Sequence, residues 1–485
     1  MTSDRPAPPP GAPARPGPGV AAAHGADLIR LTWAQPEDLV GHEFRQAAED
    51  GRARAAEPLL RAWLAAGGHT APERAGASPA PAPPRLRTLA ARLLDELAEL
   101  PRPLGPDEPE SWPAITASWP APPPSTDPAP VTGPVGPGLR HRLEAAWVGR
   151  AAGCLLGKPV EKLPLHGIRA LARATGNWPL DDWFTAKGVP AELLAAHPWN
   201  RRSAPTSLAE NIDGMPEDDD LNHPLLGLLL LQRHGKTFTT ADLGRLWLDE
   251  LPAGRTFTAE RIAYRNLLQG LEPPDTATRH NPFREWIGAL IRADVHGWTN
   301  PGDPAAAAAQ AYRDAALTHT ANGVYAALFI AAATARAAAG RADVHTALRA
   351  GLAVVPPRSR LAEAVRFGIT TAEREADFER VVDRLHARYG HHHWVHALPN
   401  TALIAAALTH ADGDFGHSIC RAVSGGWDTD SNGATAGALS ALIAGEVPHR
   451  WSAPLKNRLA TTVAGFDGAG FDTLAHLTAQ EAARS

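Results

Sequence analysis

Apolar residues recur at helical spacing in one segment after another from residue 139 to the end of the chain. Short stretches of Gly, Pro, Asn and Asp separate these segments, and the apolar–polar alternation that predicts β-strands is almost absent. The predicted helices span residues 141–157, 221–234, 239–251, 258–270, 304–317, 321–339, 358–367, 372–388, 399–409, 414–424 and 432–445. Without an internal linker or a repeat of fixed period, residues 139–485 are predicted to form one large all-α domain.

Residues 1–138 follow a different pattern. Proline-rich stretches cover residues 1–25 and 101–138, and residues 67–84 are rich in Gly, Ala and Pro. Such segments bury too little apolar surface to offset their ordering entropy. Helices are nevertheless predicted over residues 36–65, which open with proline and two acidic residues, and over residues 86–100, which carry leucines at helical spacing. We therefore expect a helical extension on flexible connectors that docks on the main domain.

Composition and charge exclude several classes of function. The 47 Lys and Arg residues against 52 Asp and Glu residues give a net charge of −5, so no basic field favours nucleic acid as a partner. Two cysteines are too few for a disulfide framework or a Cys-rich zinc site, and they fit a reducing cytoplasm. The most apolar stretch, residues 321–335, is too short to span about 30 Å of hydrocarbon, and the N-terminus lacks the apolar core of a secretory signal. We expect a cytoplasmic protein without a membrane partner, and the oligomeric state stays open.

Two acidic segments each precede an apolar helix. Residues 216–220 read PEDDD, and residues 425–435 read GGWDTDSNGAT. One aspartate at a helix start is an ordinary cap worth roughly 0.3–1 kcal/mol. A run of adjacent carboxylates is different, because like charges repel unless a cation compensates them. Capping alone therefore does not account for these segments.

Oxygen ligands in this number suit a hard divalent cation, Mg²⁺ or Mn²⁺ above zinc. If the two segments meet, five negative charges face two divalent ions about 3.5–4 Å apart, which nearly balances. A neutral hydroxyl, that of Ser431, is a sixth ligand. The predicted metal ligands are Glu217, Asp218, Asp219, Asp428, Asp430 and Ser431.

Two competing motifs fail on their spacing. Residues 428–433 match the first half of an EF-hand calcium loop, but the position of the bidentate glutamate falls on Leu439. Gly157 and Lys158 imitate a P-loop, but Ala152 stands where the first glycine is required and Pro159 where Ser or Thr is required.

Four segments together resemble the ADP-ribosylglycohydrolases, the family of dinitrogenase reductase-activating glycohydrolase. Residues 426–438 (GWDTDSNGATAGA) resemble the C-terminal metal motif of that family, and residues 142–161 resemble its opening helix with a Gly-x-Pro-x-Glu turn. Residues 217–219 stand at its Thr-Asp-Asp motif, and Thr318 with His319 resembles its mid-domain Thr-His. The resemblance covers roughly residues 140–450, so the first 138 residues lie outside it.

The resemblance implies an all-α fold with two Mg²⁺ ions at the base of a cleft. It implies hydrolysis of the N- or O-glycosidic bond at C1 of an ADP-ribosyl group, on a small molecule or a modified protein. Asp218, Asp219, Asp428, Asp430 and Ser431 take the places of metal ligands, and Glu161 that of a glutamate beside the metal site. The transition state of such a reaction is oxocarbenium-like, which favours nearby carboxylates and a positioned water.

We predict three catalytic carboxylates, those of Glu161, Glu217 and Asp218, with Glu161 or Glu217 as general acid or base. The chain departs from the family where Glu217 replaces Thr or Ser and where Cys154 stands in place of Asp. These departures leave open an N-ribosidase that acts on a nucleoside, a nucleotide or another small riboside. A two-metal phosphoesterase and a non-catalytic ADP-ribose-binding protein are the further alternatives.

Weaker signals suggest residues that bind the substrate. An arginine suits a pyrophosphate, although an ordinary ion-paired arginine fits the pattern equally well. The histidines of residues 391–396 invite a zinc interpretation, but no Cys or carboxylate stands at ligand spacing, which favours histidines that line the cleft. The predicted substrate-binding residues are Arg292, His319, His396, Asn400 and Trp427.

Overall fold

The computed structural model describes residues 34–71, 82–119 and 137–484. Four helices belong to the N-terminal extension: α1 Pro36–Glu49, α2 Ala53–Ala65, α3 Pro84–Ala98 and α4 Trp112–Ala117. The main domain begins with α5 Pro137–Gly157, α6 Leu165–Ala174, α7 Ala191–Ala196, α8 Ala204–Ser207, α9 Asp219–His234, α10 Thr240–Glu250, α11 Thr258–Leu268, α12 Asp275–Thr278, α13 Asp294–Trp298 and α14 Pro304–Ala315. It continues with α15 Ala321–Ala338, α16 Val344–Ala353, α17 Arg360–Arg374, α18 Phe378–Tyr389, α19 Ala397–Ala411, α20 Phe415–Ser424, α21 Thr429–Ala444, α22 His449–Ser452 and α23 Phe471–Ala483.

The all-α prediction is confirmed. In these three described ranges no β-strand forms, and only two isolated bridges occur, Met215 with Leu459 and Trp286 with His396. Within the same ranges no helix combines the length and the hydropathy that crossing a membrane requires. The proline-rich stretch of residues 1–25 and residues 120–136 of the second one lie outside the described residues.

The extension is helical where the pattern predicts it, but with different boundaries. A single segment is predicted over residues 36–65, whereas the structure has two helices, α1 and α2, that meet at Gly51 with a φ of +83°. The extension contacts the main domain through partly buried ion pairs: Arg284 pairs with Glu43 at 2.7 Å, and Arg360 pairs with Glu108 at 2.8 Å. These charged contacts attach the extension to the domain that carries the acidic segments.

Helices α5 and α21 form the pair that positions those segments. Glycines at every fourth position of α5 face small residues of α21, and a Cβ added at Gly153 would overlap the carbonyl oxygen of Gly433. Gly149 stands in the same relation to Gly437. Because no side chain separates the two backbones, the C-terminal end of α5 lies directly against the N-terminal end of α21. The residues that follow α5 therefore meet those that begin α21.

Candidate metal centre

Three helix ends converge at the centre. Asp218 is the N-cap of α9, in extended conformation, and its carboxylate accepts the N–H of Asp220 at 2.9 Å. Asp428 stands at the N-cap position of α21, and Asp430 lies in the first turn of that helix. Glu161 follows a short 3-10 helix that continues α5. The two acidic segments therefore meet in space, as the predicted ligand set requires: the hydroxyl of Ser431 donates to Oδ2 of Asp220 at 3.1 Å.

Two groups of possible ligand atoms lie side by side in the centre. In the first group, one ligand atom each from Glu161, Asp428 and Asp430 lies within 4.8 Å of the others. In the second group, the same holds for Cys154, Asp218 and Asp220. The first group consists of carboxylates alone, the ligands that Mg²⁺ and Mn²⁺ prefer, whereas the second contains a thiol. Glu161 keeps 15 % of its side chain exposed, so the first group opens towards solvent at that residue.

Basic side chains compensate the second group. Lys158 forms a buried ion pair with Oδ2 of Asp218. Arg150, also buried, donates to Oδ1 of Asp220 at 3.1 Å and pairs with Asp294. The other oxygen of Asp220 accepts the hydroxyl of Ser431 at 3.1 Å. Asp220, Lys158 and Arg150 all lie in segments that the sequence analysis singled out, but it gave them no role.

The carboxylates of the centre hold one another in the protonated state when no cation is bound. Burial, together with the negative charge of Glu161, raises the pKa of Asp428 to about 7. Burial and neighbouring carboxylates raise the pKa of Asp219 and of Asp430 well above the ordinary range. Asp218 is the exception, because Lys158 outweighs the effect of burial and holds its pKa below the ordinary value. At neutral pH the metal-free centre therefore holds protons on carboxylates where a bound cation could take their place.

Asn400 positions the loop that carries Asp428. Its side-chain oxygen accepts the N–H of Asp428 at 3.1 Å and the amide of Asn432 at 2.7 Å, and its own amide donates to the carbonyl oxygens of Trp394 and His396. Both amide hydrogens and the oxygen are thus engaged within the protein. The predicted role of Asn400 in substrate binding stays a prediction, and the contacts it makes are those of a positioning residue.

The structure does not bring Glu217 into the centre. Its carboxylate pairs with Arg255 at 2.7 Å and accepts the N–H of Thr462 at 3.1 Å. Asp218 precedes α9 in extended conformation, in which neighbouring side chains point to opposite sides. Glu217 thus lies outside the centre, whereas Asp218 and Asp220 belong to the second ligand group, and burial together with the charges of Asp218 and Asp220 raises the pKa of Asp219 between them.

Arg292 and His319 lie in a separate buried network. The five N–H groups of Arg292 are all engaged, by Glu260, by the carbonyl oxygen of Gly288, by both the side chain and the carbonyl oxygen of Asp314, and by Thr318. Nδ1 of His319 lies 2.6 Å from the hydroxyl of Thr318, and burial followed by the charge of Arg292 lowers the pKa of His319 well below its ordinary value. This arrangement leaves Arg292 no donor for a phosphate, so the ion-paired interpretation describes it better.

Two histidines of residues 391–396 lie beside a carboxylate from a distant part of the sequence. Glu49 of the extension lies 3.4 Å from Nδ1 of His392 and 3.4 Å from Nε2 of His396. Nδ1 of His396 accepts the N–H of Leu398, so its neutral form carries the proton on Nε2, towards Glu49. A proton on Nε2 of His396 can be shared with the carboxylate of Glu49, whereas the same proton prevents this nitrogen from coordinating a metal ion.

Trp427 adjoins the centre through its backbone. Its φ of +57° turns the chain into Asp428, and its ring stacks on His386 with centroids 3.9 Å apart and planes 3° from parallel. One face of the indole is therefore covered by a protein side chain. The predicted contact of Trp427 with a substrate stays a prediction.

We expect the Asp428 carboxyl to contribute less stability to the metal-free protein as the pH rises from about 4 to about 7. At this group the folded chain binds more protons than the unfolded chain in that range, because its pKa is about 7 when folded and near 3.9 when unfolded. Thermal unfolding of the unaltered chain and of Asp428→Asn, both with a chelator, isolates this group because asparagine does not titrate. The Tm of the variant minus that of the unaltered chain should be larger at pH 8 than at pH 5.5, and a difference that stays constant would contradict the expectation.

Comparison with known proteins finds a matching family and similar solved structures. The family model described as ADP-ribosylglycohydrolase matches residues 136–483. A solved structure, an ADP-ribosylglycohydrolase-related protein complex, is 21 % identical over 71 % of this chain and 98 % of that chain, with a TM-score of 0.44. No curated protein matches the chain.

Proposed function

Since the chain belongs to the ADP-ribosylglycohydrolase family, a family of metal-dependent glycosidases, we propose that it hydrolyses the bond between ribose C1 and a nitrogen or oxygen of an ADP-ribosyl or related substrate. The observation that carries this proposal is the group of Glu161, Asp428 and Asp430, whose ligand atoms lie within 4.8 Å of one another. A set of carboxylates that is open to solvent on one side can stabilise a transition state that carries positive charge on the ribose.

The residues of the centre fit a divalent cation. Asp428 and Asp430 are buried, and the pKa of each is raised by burial and by the neighbouring carboxylates, so a cation would relieve their repulsion. Mg²⁺ or Mn²⁺ matches an all-oxygen ligand set. When bound, such an ion supplies charge compensation and polarises the oxygens that it coordinates. The sequence predicts two ions. Lys158 pairs with one of the predicted ligands, Asp218, and so affects how many ions the centre can hold.

Glu161 is the carboxylate best placed to move a proton. It lies at the open side of the group, and its two oxygens are oriented by Asn200 at 2.6 Å and by Lys162 at 2.6 Å. As a general base it would take a proton from the water that attacks C1, and as the resulting acid it would pass that proton to the leaving group as the C1 bond breaks. Glu217, the other predicted acid or base, is held 2.7 Å from Arg255 outside the centre.

Lys162 supports a substrate with a diphosphate. Its side chain is 47 % exposed beside Glu161, and its ammonium lies 5.6 Å from the centroid of the Trp394 ring. A cation and an aromatic side chain at the opening suit the phosphates and the base of an ADP-ribosyl group. A small N-riboside without phosphates would use less of this surface, and it is the second candidate substrate because Glu217 and Cys154 depart from the family pattern.

Product analysis tests the proposal. The full chain is incubated with Mg²⁺ and, in parallel, with ADP-ribosyl-arginine, an ADP-ribosyl-serine peptide and a set of nucleosides, and the products are separated by chromatography. We expect a ribosyl product with a free C1 hydroxyl, and no product after chelation. Release of inorganic phosphate would indicate the phosphoesterase instead. Binding of ADP-ribose without turnover of any substrate would indicate the non-catalytic binding protein.

A further inference from the structure

We propose that the centre of this chain holds one divalent cation, between Glu161, Asp428 and Asp430, and that the ammonium of Lys158 takes the place of a second one. This inference rests on the proposed function, because it concerns the same centre. It differs from the two ions that the sequence comparison implies.

The first step is that the second group has no uncommitted carboxylate oxygen. Oδ1 of Asp218 accepts the N–H of Asp220, and Oδ2 of Asp218 is paired with Lys158. Oδ1 of Asp220 accepts from Arg150, and Oδ2 accepts the hydroxyl of Ser431. The remaining ligand atom of this group is the sulfur of Cys154, a soft ligand that Mg²⁺ does not favour. A second ion would have to compete with the buried cations Lys158 and Arg150 at these aspartates, whereas the ammonium that pairs with Glu161, that of Lys162, belongs to a side chain that is 47 % exposed and can turn into solvent.

The second step is that the side chain of Lys158 is buried in the fold. Lys158 begins the short 3-10 helix Lys158–Val160, and all three residues of this helix are buried. Its side chain is 7 % exposed, so the stem is packed within the protein and the ammonium is directed at Asp218. Gly157, just before it, lies against Thr429 at the start of α21, which fixes the backbone next to the centre. A surface lysine could turn into solvent at little cost, whereas Lys158 has no such alternative position nearby.

The third step concerns charge. In the second group, Asp218 pairs with Lys158 and Asp220 pairs with Arg150, which also pairs with the buried Asp294. In the first group, Glu161 pairs with Lys162, whereas Asp428 and Asp430 have no ion-pair partner among the described residues. A divalent cation therefore gains more from the first group, because two of its three carboxylates lack the direct basic partner that each aspartate of the second group has.

Manganese loading tests the inference, because Mn²⁺ is detected by electron paramagnetic resonance and by anomalous diffraction without any reference to activity. We expect the full-length chain to bind one Mn²⁺, with the signal of an isolated ion. We expect Lys158→Met, which keeps the stem and removes the charge, to bind two ions with the coupled signal of a pair about 3.5–4 Å apart. Lys162→Met removes the same charge beside Glu161 and should still bind one.

The outcomes separate this inference from the proposed function. Two ions in the unaltered chain, or one ion seated between Asp218 and Asp220, would overturn the inference and leave the proposed hydrolysis intact. No uptake of Mn²⁺ or Mg²⁺ would overturn the proposed function itself. If Lys158→Met does not fold, anomalous diffraction from the unaltered chain still decides, because a single peak beside Glu161 with Lys158 still on Asp218 is the arrangement we infer.

Discussion

Replacing Asp428 by asparagine is expected to lower kcat/KM for hydrolysis of the ribosyl bond by about 10³-fold or more and to abolish binding of the metal ion. The first ligand group contains three carboxylates, and this change removes one of them at the buried side of the group. A loss of 10³-fold corresponds to about 4 kcal/mol of transition-state stabilisation, a magnitude typical of electrostatic groups at a reacting centre.

Measurements of thermal stability distinguish this loss of activity and metal binding from misfolding of the variant. Asparagine is close in shape to aspartate, and the backbone N–H that Asn400 accepts is unchanged. Because the carboxylate repels Glu161 and Asp430, the metal-free variant should be at least as stable as the unaltered chain at pH 8. Calorimetric titration with Mg²⁺ and thermal unfolding with chelator measure the two effects independently.

Glu217→Gln is the matched control. It also neutralises an acidic residue, in a segment that the sequence assigns to the same centre, but the carboxylate is held by Arg255 and Thr462 instead. We expect kcat/KM and metal affinity to stay within about threefold of the unaltered chain, since a partly exposed ion pair contributes at most about 1 kcal/mol. A loss as large as that of Asp428→Asn would show that Glu217 turns into the centre in solution.

The helical class and the acidic loops could be predicted from the sequence because both are local properties. Helical spacing of apolar residues extends over ten or more residues in each segment. The loop of residues 425–435 carries its carboxylates and its helix start within one short stretch, so Asp428 and Asp430 could be assigned without knowledge of the fold. The same holds for Asp218, whose role as a helix cap follows from its position before α9.

The roles of Glu217 and Arg292 could not be predicted because they depend on partners distant in sequence. Arg255 and Thr462, which hold Glu217, come from segments that only the fold brings to it. Arg292 is surrounded by Glu260 and Asp314, which lie 32 and 22 residues away along the chain. A motif gives the type of a side chain and its approximate place, whereas the direction in which that side chain points depends on backbone conformation and on these distant partners.

The N-terminal extension shows the same limit. Its leucine pattern predicts helices, but nothing near residues 391–396 predicts that Glu49 contacts His392 and His396. Likewise Arg360 pairs with Glu108 from the extension and with Glu285 of the main domain. The extension therefore adds carboxylates to charged residues of the main domain that the local sequence gives no means of predicting.

Replacing Gly153 by alanine is expected to lower the free energy of unfolding by about 3 kcal/mol or more, and to weaken metal binding as well. A Cβ at this position would overlap the carbonyl oxygen of Gly433, which is backbone and cannot rotate away. Overpacking in a core costs typically about 1–3 kcal/mol, and a clash between two helix backbones belongs at the upper end because relief requires the helices to separate.

Separation of α5 from α21 would also move the two halves of the centre apart. Lys158 and Glu161 follow α5, whereas Asp428 and Asp430 belong to the start of α21. We therefore expect Gly153→Ala to lower the affinity for Mg²⁺ at least about tenfold in whatever fraction folds, because ligand positions in a rigid site tolerate little displacement. Denaturant unfolding and calorimetric titration of the same preparation measure both quantities.

Gly138→Ala in the same helix is the control that makes this prediction specific. Gly138 is exposed, and the nearest atom to an added Cβ is the guanidinium of Arg142 at 3.5 Å, an ordinary contact with a flexible side chain. The same substitution should there change the free energy of unfolding by less than about 1 kcal/mol, and towards greater stability, since alanine restricts the unfolded chain. If Gly153→Ala proved as harmless as Gly138→Ala, α5 and α21 would not be in backbone contact, and the explanation of how the two acidic segments meet Glu161 would be wrong.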